Sequence, residues 1–115
     1  MNDLSAGDVV LVDLGSPIGS EAGFVRPAVV VSASGLLRRN LATIFVVPCT
    51  STFRNVASHV ELAPDEQNGL PLACWAQVEQ LRSIARARCV ERLGNVGVVA
   101  LVQIREIAAL LIDIR

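Results

Sequence analysis

Polar and apolar positions divide the chain into short runs. Asp8–Leu14 holds Val9, Val10, Leu11 and Val12 between polar ends and reads as a first strand. Gly15–Val25 follows as a long loop, and loops of that length in small domains tend to carry function. Val29, Val30 and Val31 form an unbroken β-branched run, the pattern of a strand buried on both faces. Ala33–Asn40 reads as a short polar connection. Leu41–Val47 is a third strand, also apolar on both faces, which Pro48 is expected to stop. After a polar link at Ser51–Ala57, Ser58–Leu62 alternates and predicts an exposed strand with His59 facing solvent. Ala63–Pro71 has turn chemistry. Leu72–Glu79, with the only tryptophan, Trp75, is another strand, whereas Arg82–Arg92 fits either a strand or irregular structure.

Asn95 is a candidate N-cap for a terminal helix spanning Val96–Ile112. Val98, Leu101, Ile104, Ala108 and Leu111 form one stripe at helical spacing, widened by Val102 and Ile107, as suits a helix pressed onto a sheet. Five or six short strands and one closing helix predict a single α+β domain over residues 1–115, built as a small, mostly antiparallel barrel. At 115 residues the chain can bury its own core. The apolar fraction of 52% is high and suggests surface buried against a second chain.

No apolar run reaches the roughly 18 residues of a membrane span. Asp3, Asp8 and Asp13 interrupt the start, so no secretory signal is expected. A net charge of −1 does not mark a nucleic-acid binder, although all 10 basic residues are arginines. Arg26, Arg38, Arg39, Arg54, Arg82, Arg86 and Arg88 fall in loops and later strands, and arginine offers a planar fork suited to phosphate. Cys49, Cys74 and Cys89 lack C-x-x-C spacing and His59 is the only histidine, so no zinc constellation is present. The cysteines read as small buried hydrophobes, and the expected location is the reducing cytoplasm. No metal or cofactor is called for.

One stretch combines these features. The loop Gly19-Ser20-Glu21-Ala22-Gly23-Phe24-Val25 runs into Arg26-Pro27 and then into the valine run. Pro27 has no N–H, fixes its own φ and pushes Arg26 toward an extended conformation. A cation is thereby held at the end of a core strand, where an anion site can be built.

Gly7-Asp8-Val9-Val10-Leu11-Val12-Asp13, Gly19-Ser20-Glu21 and Arg26-Pro27-Ala28-Val29-Val30-Val31-Ser32 resemble the MazF/PemK family of toxin endoribonucleases. Val46-Val47-Pro48-Cys49-Thr50-Ser51 is similar to that family's strand end carrying a Thr or Ser, and Gln77-Val78-Glu79-Gln80-Leu81-Arg82-Ser83-Ile84 to a later strand. The blocks occur in the family's order and cover nearly the whole chain. The resemblance implies an SH3-like barrel with a C-terminal helix, a homodimer, and a type II toxin whose cognate antitoxin covers the RNA groove. It implies metal-independent, sequence-specific cleavage of single-stranded RNA by 2′-hydroxyl attack. The products would be a 2′,3′-cyclic phosphate and a 5′-hydroxyl, and the outcome inhibition of translation and growth.

The family's catalytic arginine and threonine match Arg26 and Thr50. A guanidinium stays protonated in proteins, which favours charge stabilisation as the role of Arg26. Glu21 is the more natural acceptor of the 2′-hydroxyl proton. Gly19, Ser20 and Ser51 are expected to line the substrate groove, and Gln80 and Arg82 to face it from one side of a strand. The chain departs from the family at Gly15-Ser16-Pro17-Ile18, where Ile18 replaces a basic residue. The competing readings are a binding protein on the same barrel, such as a topoisomerase poison, and a degenerate toxin that only binds antitoxin.

Overall fold

The computed structural model describes residues 3–114. Its strands are β1 (Asp8–Asp13), β2 (Val25–Val30), β3 (Thr43–Thr50), β4 (His59–Leu62), β5 (Cys74–Gln77), β6 (Arg82–Ala85) and β7 (Cys89–Asn95). The helices are α1 (Ser34–Arg38), between β2 and β3, and α2 (Gly97–Leu111) after β7. The strands pair antiparallel in the order β4-β5-β3-β2-β1-β7, and β6 pairs with the first half of β3.

The α+β reading and the mostly antiparallel sheet with its C-terminal helix are what the structure shows. The barrel does not close. β4 and β7 end the sheet, and Ile104 of α2 packs between them in one cluster with Val60, Leu62 and Leu93.

The valine-rich strands β2 and β3 form the centre and are buried on both faces. Ala28, Val30, Ile44 and Val46 point into one core cluster with Val10, Val12, Leu37 and Ile84. Val29, Val47 and Cys49 point the other way, into a second cluster with Val60, Ala76, Val78 and Ile104. The β1 edge is pinned to β7 by Asp8, whose fully buried carboxylate accepts bonds from the Ser5 N–H (2.8 Å), Arg92 (3.0 Å) and Asn95 Nδ2 (3.1 Å).

Several local expectations need correction. β3 runs through Pro48 to Thr50. Pro48 lies opposite Ala28, at the point where the other edge of β3 leaves β6 (Val46 opposite Arg82) and takes up β5 (Cys49 opposite Ala76). The missing N–H falls where no ladder partner needs it. The connection after β2 holds α1 and buries Leu37. Arg82–Arg92 resolves into β6, a single 3-10 turn at Arg86–Arg88, and most of β7. Asn95 is the last residue of β7, and its Oδ1 accepts the Gly97 N–H (2.8 Å), so it closes a turn ahead of α2 and the cap position falls on Val96.

On α2 only Leu101 and Ile104 are buried, with Ile107 and Ala108 partly so. Val98 and Val102 are exposed because they sit roughly 120° and 160° from Ile104 around the helix at about 100° per residue. Leu111, in phase with Ile104, ends the helix in solvent. Ile104→Ala removes the fully buried anchor of α2. It is expected to destabilise the fold by about 2–5 kcal/mol, seen as a lower urea midpoint with an unchanged m-value.

Candidate functional site

The loop between β1 and β2 is held in shape by its own backbone and by one distant side chain. Its neck is closed by Leu14 N–H to the Phe24 carbonyl (2.9 Å) and Phe24 N–H to the Gly15 carbonyl (2.6 Å). Phe24 takes φ +60°, a left-handed conformation that costs a bulky residue on the order of 1–3 kcal/mol. Gly23 passes so close to Pro17 that a Cβ there would lie 2.5 Å from the ring. Gln80 clamps the loop from outside: its Oε1 accepts the Ala22 N–H (3.2 Å) and its Nε2 donates to the Ser20 carbonyl (3.0 Å). Both ends of this amide are thus spent on backbone.

Arg26 follows this loop and is half-buried. Its Nε donates to the Gly23 carbonyl (2.8 Å) and its Nη1 to the Cys49 carbonyl (3.3 Å). Continuing the register of Ala28 opposite Pro48 by two residues sets Arg26 opposite Thr50, on the same face of the sheet. Thr50 is 8% exposed. Its Oγ1 accepts both the Thr52 N–H (3.2 Å) and Nη1 of Arg54 (3.2 Å). A hydroxyl has two acceptor lone pairs and one proton. With both lone pairs engaged, Thr50 can meet a ligand only as a donor.

Two cavities meet at Arg26 and Arg54. One, about 450 Å³, is lined by Arg26, Thr50, Ser51, Thr52 and Arg54 together with the turn at Pro71–Cys74. The other, about 360 Å³, also holds Arg26 and Arg54 and reaches Ser20, Glu21, His59, Glu79 and Gln80. Among the described residues neither Arg26 nor Arg54 forms an ion pair; both cations are bound only by neutral oxygens.

Of the residues singled out from sequence, Arg26, Thr50, Ser51, Ser20, Glu21 and Gln80 come together around these two cavities. Glu21 is exposed, with Oε1 accepting the Ile18 N–H (2.8 Å). Gly19 is at the exposed tip of the loop. Gln80 and Arg82 do not share a strand: Gln80 closes a 3-10 turn, Val78–Gln80, and Arg82 opens β6 opposite Val46 and lines neither cavity. Arg54 also lines both cavities, and its signal in the sequence is a basic residue four positions after Thr50.

His59 does not face solvent. Its side chain is 3% exposed, and its Nε2 lies 2.8 Å from Glu79, which also accepts from the Ser58 hydroxyl (2.8 Å). Burial pushes the Glu79 carboxyl up, but the bonds from His59, Ser58 and its own backbone N–H outweigh it and leave the group below its ordinary range. Cys49 and Cys74 are buried against each other, and all three cysteines are free thiols. The bond between these two thiols and burial raise the Cys49 thiol, while the same bond lowers that of Cys74.

A seven-stranded sheet with a terminal helix makes this a small α+β domain, with an arginine and a donor threonine at the mouth of its central strands. Residues 5–113 match the family model described as PemK-like, MazF-like toxin of type II toxin-antitoxin system, and the chain belongs to that family. It is 38% identical over 112 residues to Endoribonuclease MazF9 of Mycobacterium tuberculosis, covering 94% of this chain and 95% of that protein. The fold superposes on the crystal structure of MazF from Deinococcus radiodurans with a TM-score of 0.81 at 24% identity, covering 96% of each chain. It also matches a mycobacterial endoribonuclease solved in complex with its cognate antitoxin, with a TM-score of 0.76 at 18% identity and 98% coverage of both chains.

Two outcomes are expected. Gln80→Ala frees the loop, so hydrogen exchange at the Ala22 amide accelerates while exchange in β2 and β3 is unchanged. The lowered folded-state pKa of Glu79 means that its ionised form stabilises the fold above the usual carboxylate range. That stabilisation is lost as pH falls through the lowered value. Thermal midpoints of wild type and Glu79→Gln are therefore expected to differ at neutral pH and to converge on acidification.

Proposed function

We propose that this chain is the toxin of a type II toxin–antitoxin module and an endoribonuclease that cuts single-stranded RNA without a metal. Family membership and the endoribonuclease relatives support the activity class. The observation that carries the chemistry is Thr50 with both hydroxyl lone pairs occupied, opposite Arg26.

In such a reaction the 2′-hydroxyl of the substrate attacks its own phosphodiester, so the protein supplies no nucleophile. It must align the phosphate and stabilise the negative charge that builds on it. Arg26 has five N–H donors, of which two are spent on carbonyls, and the rest can reach non-bridging oxygens. Thr50 adds one hydroxyl donor to the same phosphate. Arg54 holds the Thr50 hydroxyl in place and adds a second positive charge. Glu21, lining the same cavity as Arg26, is the proton acceptor for the 2′-hydroxyl. The 2′-oxygen forms its bond to phosphorus as the bond to the 5′-oxygen breaks, and the leaving 5′-oxygen takes a proton from water, which leaves a 2′,3′-cyclic phosphate and a 5′-hydroxyl.

The antitoxin-bound structural neighbour supports a partner whose acidic segment lies over the Arg26–Arg54 groove by the physics that binds phosphate. Exposed apolar residues such as Phe45, Val98 and Val102 support a homodimer. Among the described residues no helix is long and apolar enough to cross a membrane.

The test is cleavage of a long single-stranded RNA in EDTA with end mapping. Wild type is expected to give discrete cuts with cyclic-phosphate ends. Arg26→Ala and Thr50→Ala are each expected to lose about 100- to 1,000-fold in rate. No cutting by well-folded wild type would reject the nuclease reading in favour of a binding protein, and equal cutting by well-folded variants would reject Arg26 and Thr50 as the groups that carry the reaction.

A further inference from the structure

Phe53 stands 63% exposed on the loop after β3, tilted against Trp75 with ring centroids 5.5 Å apart and an interplanar angle of 54°. Trp75 lies directly opposite Thr50 in the β3–β5 ladder, so its side chain leaves the sheet on the same face as the Thr50 hydroxyl. Its strand neighbours Cys74 and Ala76 point the other way, into the core. Phe53 is carried to this place by the residues around it. The Thr52 N–H and the Arg54 guanidinium both bond to Thr50 Oγ1, which folds the segment between them back beside that hydroxyl.

A single exposed apolar residue needs no explanation. An exposed aromatic braced by a second one that lies opposite the Thr50 hydroxyl, and followed by an arginine that forms no ion pair, is a different object. A cationic groove that tracks phosphates beside an aromatic face that stacks bases is how single-stranded nucleic acid is held.

We propose that Phe53 and Trp75 form the stacking platform for one nucleobase of the RNA, next in the strand to the phosphate bound by Arg26 and Thr50. This rests on the RNA-cutting reading above. Stacking uses a π-face that every base has, so the platform contributes affinity and register and leaves base choice to other contacts. Phe53 supplies the exposed face, and Trp75 holds its ring in orientation.

The experiment uses a short RNA spanning a mapped cut, with a 2′-deoxy group at the cut nucleotide so that it binds uncut. Trp75 is the only tryptophan and reports directly. Binding is expected to quench its emission. Replacing one base adjoining the cut phosphate by an abasic residue is expected to remove the quench and weaken binding about 5- to 100-fold. Phe53→Ala is expected to weaken the intact RNA by the same factor, to become indifferent to that abasic site and to keep the wild-type thermal midpoint. Phe53→Tyr is expected to preserve affinity and abasic sensitivity. Phe53→Ala that binds and cuts like wild type overturns the proposal and leaves the nuclease reading intact. So does an abasic profile identical in wild type and Phe53→Ala. Folded wild type that neither binds nor cuts RNA overturns both.

Discussion

The structure depends on the two-sided burial of β2 and β3. Successive side chains of a strand point to opposite faces, and here each face meets its own core: Ala28, Val30, Ile44 and Val46 on one side, Val29, Val47 and Cys49 on the other. A slip of one residue would exchange the two sets, so the register is fixed by packing on both sides. The site follows from that register. Arg26 and Thr50 continue the face of Ala28 and Pro48 by one step, past the last apolar residue of the first core cluster. Two polar groups thus emerge where the buried face opens, with positions set by the core behind them.

The loop and the arginine below it hold each other in place. The guanidinium of Arg26 is tied to the carbonyls of Gly23 and Cys49, one from the loop and one from β3. The loop is fixed in turn by the Leu14–Phe24–Gly15 backbone bonds, by the Gln80 amide and by the close approach of Gly23 to Pro17. A change at Gly15 or Pro17 therefore bears on the carbonyl that orients the arginine.

What the sequence makes legible is whatever depends on local pattern. The β-branched run after Arg26-Pro27 identifies β2, and the polar loop before it identifies the mouth of the site. Thr50 follows from the family's strand-end motif. What escaped depends on partners distant in sequence. Pro48 reads as a stop because a proline costs a ladder bond, yet β3 changes partner from β6 to β5 at that residue. Gln80 lines the groove as read, but its clamp on the loop is hidden because its loop targets lie some sixty positions away. His59 reads as solvent-facing because nothing nearby announces Glu79 across the sheet. On α2 the spacing finds Leu101 and Ile104, but the breadth of sheet beneath a helix decides how far a stripe is covered.

A net charge of −1 looks wrong for a protein that binds a polyanion, and the local arrangement resolves the conflict. The acids near the groove keep their charge but are turned to other partners: Glu79 to His59 and Ser58, Glu21 to the Ile18 N–H. Arg26 and Arg54 meet only carbonyl and hydroxyl oxygens. Neutral acceptors orient a guanidinium without neutralising it. Arg26, half-buried and without an ion pair, carries an unrelieved desolvation cost, whereas Arg54 is exposed. Any anion entering the groove relieves that cost, whether it is the phosphate of an RNA or the carboxylate of an acidic peptide. Net charge averages over the whole surface, whereas an anion at the groove meets Arg26 and Arg54.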